Sequence, residues 1–417
     1  MRTTPPRIAY LIADPQLCGG VAVVCQHANR LARRGFDVCI VSTAGADRID
    51  WFPDLRVPVV PLSRLPRGID AGVATWWETA WELRRLEIPR KCYFVQSDET
   101  RFYDSGRCER ILARESYRLG YEFLTEARWI QEWLKAEFGQ EARHVPNGID
   151  LEIFREADPI VPRGGRPRIL IEGPADMPSK GIADAFAAAR GLGAEIWYVN
   201  YRGEPDPSWR PDRCFSRVPM EGMRRIYSSC DILLKMSRVE GVSGPPLEMM
   251  ACGGTCVVAR ATGTDEAVRD GRNALVVEPG DVAGASRALR RLIADPALRR
   301  ALAAAGQETV RRMDWERSID LLEEFFLAAP APPPRGGGAA AGLLAEREAA
   351  MAEICVRLKA HRAEIDTLRH ELNALRLSKG WRIASALLEA RRSPAALLRL
   401  PARVASIAWK KPPRRPA

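Results

Sequence analysis

Glu240 and Glu248 are separated by seven residues in the run Glu240-Gly241-Val242-Ser243-Gly244-Pro245-Pro246-Leu247-Glu248, a spacing suited to gripping a sugar joined to a diphosphate. The first carboxylate precedes a loop poor in side chains, whose amides at Gly241, Val242, Ser243 and Gly244 can approach a ligand closely. Pro246 reads as a helix start, which places Glu248 in the first turn, where a helix favours anions. Carboxylates accept hydrogen bonds from sugar hydroxyls, and free amides hold phosphate oxygens, so one short segment can bind both ends of a nucleotide sugar. The same run also suits a buried strand-to-helix turn with two solvated glutamates, and its surroundings must decide.

Those surroundings continue with Thr255-Cys256-Val257-Val258-Ala259, then Thr262-Gly263-Thr264-Asp265-Glu266, Asp270-Gly271-Arg272-Asn273, and Leu275-Val276-Val277-Glu278-Pro279-Gly280-Asp281. This order resembles the C-terminal donor-binding domain of family 4 retaining glycosyltransferases, which have the two-domain GT-B fold. Val145-Pro146-Asn147-Gly148-Ile149-Asp150 matches the family's Pro-Asn-Gly-x-Asp signature at the end of the N-terminal domain. Ser179-Lys180-Gly181 matches its Lys-Gly pair, whose cation faces the diphosphate; without the resemblance Lys180 is a solvated loop lysine. Pro174 stands where the family has another cation, and Arg202 or Arg238 can replace it only if folding brings either one near. Gly19-Gly20 resembles the glycine loop facing the interdomain cleft, though alone it is also a tight turn.

A narrower resemblance, to a subgroup including bacterial L-rhamnosyltransferases of surface-polysaccharide assembly, rests on Trp76-Trp77-Glu78-Thr79-Ala80 and on Tyr93-Phe94-Val95-Gln96-Ser97-Asp98-Glu99. It implies that Glu78, Asp98 and Glu99 lie on the acceptor side, although buried aromatic clusters are more often core. Taken together, the resemblance implies that Glu240 and Lys180 serve the reacting centre and that Glu248 binds the nucleotide ribose. Gly19, Gly20, Gly241, Val242, Ser243 and Gly244 then surround the donor. Because transfer builds negative charge on the leaving diphosphate, electrostatic stabilisation should dominate. The resemblance also implies retention through a front-face mechanism, in which the leaving phosphate helps deprotonate the acceptor; no residue reads as the attacking carboxylate of a double displacement. No cofactor and no metal are implied.

Positioning these groups requires alternating strands and helices. Apolar strand-like runs occur at 7–13, 36–42, 57–62, 71–75, 92–96, 121–125 and 143–146, and again at 168–172, 195–200, 232–236, 256–259 and 275–277. Helical patterns between them, such as Trp129 to Phe138, predict an α/β protein of two doubly wound, Rossmann-like domains facing a cleft. We place an acceptor-side domain at 1–160 and a donor domain with a closing helix at 161–328. A Pro/Gly/Ala linker follows at 329–342, a coiled coil at 343–377 and a basic amphipathic tail at 378–417.

The 417 residues accommodate this plan, and no apolar run approaches the ~20 residues that span a bilayer. With no signal-peptide core at the N-terminus, a cytoplasmic protein is expected. Ten cysteines without a Cys-x-x-Cys pair, and four scattered histidines, argue against zinc and for reduced thiols. Positive charge is concentrated after Leu377, with ten Lys or Arg against Glu389, a net of +9 out of the chain's +10. Interleaved with Ile383, Leu387, Leu397 and Val404, and with Trp381 and Trp409 near its ends, this tail suits an anionic membrane better than nucleic acid. In the coiled-coil segment, Met351, Leu358, Ile365 and Leu372 fill one core position, and Ile354, His361, Leu368 and Leu375 the other. Glu364 with Arg369 and Glu371 with Arg376 are spaced for parallel interchain pairs, which predicts a homodimer; a single amphipathic helix is the alternative. The expected function is transfer of a sugar from a nucleotide sugar to a glycan or lipid-linked acceptor at the inner membrane face. The alternatives are a glycogen- or trehalose-type transferase, and a noncatalytic sugar-nucleotide-binding scaffold recruiting partners through the coiled coil.

Overall fold

A computed structural model describes residues 5–330 and 338–378 together with Ile383 and Leu387. The first domain is a parallel sheet of β1 (Ile8–Ile12), β2 (Val38–Ser42), β3 (Val59–Pro61), β4 (Ala71–Ala74), β5 (Arg90–Val95), β6 (Glu122–Thr125) and β7 (Ala142–His144). Its order is β3-β2-β1-β4-β5-β6-β7. Helices α1 (Gly19–Arg33), α2 (Trp77–Arg85), α3 (Cys108–Ser116) and α4 (Arg128–Phe138) connect the strands. Central strands such as β1 are buried at every residue, which is why they read as continuous apolar runs rather than alternating ones.

The second domain repeats the scheme with β8 (Arg168–Glu172), β9 (Glu195–Asn200), β10 (Arg213–Ser216), β11 (Ile232–Lys235), β12 (Thr255–Ala259) and β13 (Leu275–Val277), in the order β10-β9-β8-β11-β12-β13. Helices α5 (Ile182–Ala189), α6 (Met220–Ser229), α7 (Gly244–Ala251), α8 (Val282–Ala294) and α9 (Pro296–Val310) cover both faces. The apolar side chains of α5 and α8 meet one face and those of α6 and α7 the other. In both sheets the strand order reverses at one point, between β1 and β4 and between β8 and β11, and the crevice at the strand ends there is where such folds bind ligands. Strand β10 was not anticipated, because its residues are largely exposed at a sheet edge and show no apolar alternation.

Two chain crossings join the domains and lie side by side. Residues 146–150 lead from the first domain to the second, and 313–315 lead back into α10 (Trp315–Leu327). The Ile149 amide donates to the Met313 carbonyl at 2.9 Å, and the Ser318 hydroxyl donates to the Pro146 carbonyl. A Cβ on Gly148 would stand 2.4 Å from the Trp315 nitrogen, so the crossings can touch only with glycine there. Asn147 Nδ2 donates to Glu126, and Asp150 accepts from Arg30 and Gln26, so each polar residue of the signature has an anchoring task. Although it follows the second domain in sequence, α10 packs Ile319, Leu322, Phe325 and Phe326 into the first domain's core beside α1. Arg34 of α1 pairs with Glu316, Asp320 and Glu323 of α10.

From Leu344 the chain forms a separate unit. Helix α11 (Gly338–Leu377) starts five residues before the expected coiled coil, since Ala339 to Ala341 are strong helix formers. Ile354, Ile365, Leu368, Leu372 and Leu375 form an exposed apolar stripe along it. Most of the basic tail, including Trp381 and Trp409, lies outside the described residues. No described helix is long and apolar enough to cross a membrane.

Candidate active site between the two sheets

In the second domain, Lys180 ends a short turn after β8, and Glu240 lies in the loop after β11. Lys180 Nζ donates to both Glu240 oxygens, at 2.9 and 2.8 Å. The turn is locked by Gly181, which has φ +63° and whose Cβ would stand 2.1 Å from the Met236 carbonyl oxygen. Sequence-distant residues thereby become a close ion pair. Burial works against charge on Glu240, but Lys180 and Lys235 outweigh it and hold the carboxyl below the usual glutamate range.

Glu248 lies in the same region, its Oε2 accepting from the Tyr227 hydroxyl at 2.9 Å. Burial pushes its pKa up to about 7, with Glu172 adding to the rise and Tyr227 and Lys235 opposing it. Helix α7 begins at Gly244, two residues before the expected Pro246, so Glu248 starts the second turn rather than completing the first. Pro245 and Pro246 have no N–H, so they remove two of the donors that a helix start would offer a diphosphate. A further pair that the sequence reading missed acts on these glutamates, Lys235 Nζ to Glu172 Oε2 at 2.6 Å. Lys235, Ser237, Glu240, Val242, Ser243 and Pro246 line one pocket.

The glycine loop is held by the first domain. The Val242 amide donates to Glu126 Oε1 at 2.9 Å, and Trp129 Nε1 donates to the Gly241 carbonyl at 2.9 Å. A Cβ on Gly241 would lie 1.9 Å from the Gln96 carbonyl oxygen, so the close approach requiring glycine here is to the other domain. Glu126 is buried, and its pKa is pushed up to about 8 by burial, against the hydrogen bonds from Asn147 and Val242. From the second domain, Glu266 accepts from the first amides of α4, at 2.7 Å from Arg128 and 3.3 Å from Trp129.

Gly19 and Gly20 are the first two residues of α1, and no side chain caps that end. A Cβ on Gly20 would lie 3.2 Å from Gln96 Oε1, and the Gln96 carbonyl meets Gly241 of the second domain, so the glycine pair borders the contact between the domains. Arg202 forms an exposed pair with Asp176 at 3.0 Å, and Arg238 pairs with Asp184 at 2.5 Å. Both arginines therefore flank the loop containing Pro174, and each already has a carboxylate partner.

The three acceptor-side carboxylates fare differently. Glu99 is buried: its Oε2 accepts from the Trp77 amide at 2.6 Å and the Tyr93 hydroxyl at 3.0 Å, a task internal to the domain. Burial raises its pKa well above the usual range. Asp98 caps the turn that follows, accepting from the Thr100 amide and from Arg101. Glu78 stands in the first turn of α2 and is mostly buried. Glu126, Glu172 and Lys235 escaped the sequence reading, and Glu266 entered it only within a motif run, because each acquires its meaning from a partner far away in the chain.

Residues 182–324 match a family model described as glycosyl transferase-like. The O-antigen biosynthesis protein RfbC of Myxococcus xanthus is 29% identical over 262 residues, covering 60% of this chain and 20% of that protein. The chain thus spans a fifth of that relative's length. Among solved structures, sucrose-phosphate synthase from Thermosynechococcus elongatus superposes with a TM-score of 0.65 at 18% identity, over 77% of this chain and 98% of that one. Anabaena HepE in complex with UDP-glucose gives 0.64 at 15% identity, over 77% and 99%. The two facing parallel sheets and these superpositions give the chain the GT-B fold.

Proposed function

We propose that this chain, a GT-B protein similar to family 4 glycosyltransferases, moves a sugar from a nucleotide sugar to a glycan or lipid-linked acceptor in surface-polysaccharide assembly. The observation that carries the reading is the convergence of Lys180, Glu240 and Glu248 at the strand ends of the second sheet, opposite the glycine start of α1. In the proposed complex Lys180 leaves Glu240 for the diphosphate and neutralises charge as the glycosidic bond breaks. Glu240 then accepts hydrogen bonds from the sugar, holding its anomeric carbon toward the acceptor, while Glu248 receives the ribose hydroxyls. The leaving phosphate takes the acceptor's proton, giving retention without a covalent glycosyl-enzyme. The negative charge of the diphosphate is balanced by protein side chains, so the reaction runs in excess EDTA.

Placement at the inner face of the membrane through the tail, and pairing of two copies through α11, complete the proposal. Both would hold the catalyst near a lipid-linked acceptor. Thermal-shift screening against UDP-, GDP- and dTDP-sugars, followed by donor hydrolysis with the best ligand, tests the reading. Stabilisation together with release of free sugar is expected, and stabilisation by none of them overturns it. Pro174, in place of a phosphate-binding cation, favours one other reading, a noncatalytic sugar-nucleotide-binding scaffold; stabilisation without turnover, either hydrolysis or transfer, would select it.

A further inference from the structure

Glu172 and Lys235 end the adjacent strands β8 and β11, at the point where the second sheet reverses its strand order. Their side chains are almost fully buried, with Lys235 Nζ 2.6 Å from Glu172 Oε2 and 3.2 Å from the Glu172 carbonyl oxygen. A buried ion pair is a poor way to gain stability, because desolvation offsets most of the attraction. Lys235 of this pair lines the same pocket as Glu240. Beside it, Glu240 spends both oxygens on Lys180, the cation that a diphosphate would claim. Removing Lys180 would leave a buried carboxylate that feels Glu126 and Tyr201, neither of which can stabilise its charge electrostatically, with the neutral Ser237 hydroxyl beside it. Lys235 is the second cation acting on Glu240.

We propose that Lys235, held by Glu172, is the standing counter-charge of Glu240, keeping it ionised and in place when a sugar diphosphate draws Lys180 away. Lys235 is in this sense a positioning residue, and the inference rests on the donor-binding reading above. The missing cation at Pro174 is then balanced from beneath the sugar-binding carboxylate rather than beside the phosphate. Glu172 keeps the ammonium in its slot, so that Lys235 does not itself pair with the incoming diphosphate.

Calorimetry from pH 5 to 8 with UDP-glucose and UDP, and with the corresponding GDP and dTDP pairs, tests this on wild type and Lys235→Met. The preference for the nucleotide sugar over the free diphosphate reports on Glu240. In Lys235→Met the acid limb of that preference should move up by about one pH unit, the scale for losing a neighbouring opposite charge. At pH 8, where Glu248 is mostly ionised, affinity for the free diphosphate should change less than twofold, and Lys235→Arg should restore the wild-type limb. Should Lys235→Met fail to fold, Glu172→Gln/Lys235→Met removes both buried charges, and a smaller shift in the same direction is expected from it. An unmoved limb in either folded variant, or equal loss for UDP and UDP-glucose, overturns the role of Lys235. Wild-type protein that binds none of the probes overturns the donor-binding reading itself, and this proposal with it.

Discussion

Replacing Glu248 by Gln should make the protein more stable and a poorer nucleotide binder, in a way that depends on pH. The folded-state pKa of Glu248 is raised from 4.5 to about 7. Such a group contributes stability that is complete below pH 4.5 and is lost as pH rises through about 7, because ionisation is costlier in the folded state. A rise of this size corresponds to at most about 3 kcal/mol, and partial exposure reduces it to about 1 to 2 kcal/mol. Gln keeps an oxygen for the Tyr227 hydroxyl but cannot ionise. Glu248→Gln should therefore match wild type at pH 4.5 and exceed it by about 1 to 2 kcal/mol at pH 8 in urea unfolding. Binding should move the other way. If ribose hydroxyls donate to the carboxylate, its loss weakens nucleotide affinity by about 1.5 to 3 kcal/mol, roughly 10- to 150-fold. If only the ionised form binds ribose well, wild-type affinity should fall about tenfold from pH 8 to pH 6 as that fraction shrinks. The variant should lack this extra dependence, and its own profile accounts for titration of the nucleotide phosphate. A folded variant with wild-type affinity at pH 8, or parallel pH profiles, would refute the assignment.

Three further outcomes are expected. Gly241→Ala, with its Cβ 1.9 Å from the Gln96 carbonyl oxygen, must shift the domain contact, an overpacking cost of about 1 to 3 kcal/mol, and small-angle scattering should show a changed domain arrangement; an unchanged profile with wild-type stability contradicts the contact. Light scattering should give a dimer for the full chain and a monomer for a chain ending at Ala329; a full-length monomer at micromolar concentration rules out pairing through α11. In flotation assays the full chain should rise with anionic vesicles and less with neutral ones, salt should weaken recovery, and removing residues 379–417 should abolish it; equal recovery with both vesicle types removes the electrostatic anchor.

Much of this molecule can be read from local sequence, and the unreadable part has a common physical origin. Buried strands such as β1 and β8 announce themselves because both faces require apolar residues. The Glu240–Glu248 spacing, Lys180-Gly181 and the Asn147-Gly148 crossing are also local, and the structure gives each a geometric reason. Edge strand β10 carries no such signal. Glu172 and Lys235 look like ordinary charged ends of strands until β8 and β11 lie side by side. Glu126 and Glu266 become intelligible only when α4 meets the loops after β11 and β12, more than a hundred residues later in the chain. The aromatic segment around Glu99 carries a task that its sequence does not announce: one carboxylate oxygen, Oε2, ties α2 to β5 through the Trp77 amide and the Tyr93 hydroxyl.

The return of α10 to the first domain makes the second domain an insertion within the first, and this governs how the chain can be made. On a ribosome, the first sheet emerges early but lacks the helix that supplies Ile319, Leu322, Phe325 and Phe326. It must wait while residues 151–314 are synthesised, roughly 10 to 30 s at ordinary elongation rates. Throughout that interval the side of α1 that receives α10 is an uncovered apolar surface, a natural client for a chaperone. The inserted domain meets no such delay, since its strands and helices are contiguous in the chain. Genetic dissection should be correspondingly lopsided: the second domain can be cut out as one piece, whereas the first can be assembled only by splicing α10 back onto the end of β7.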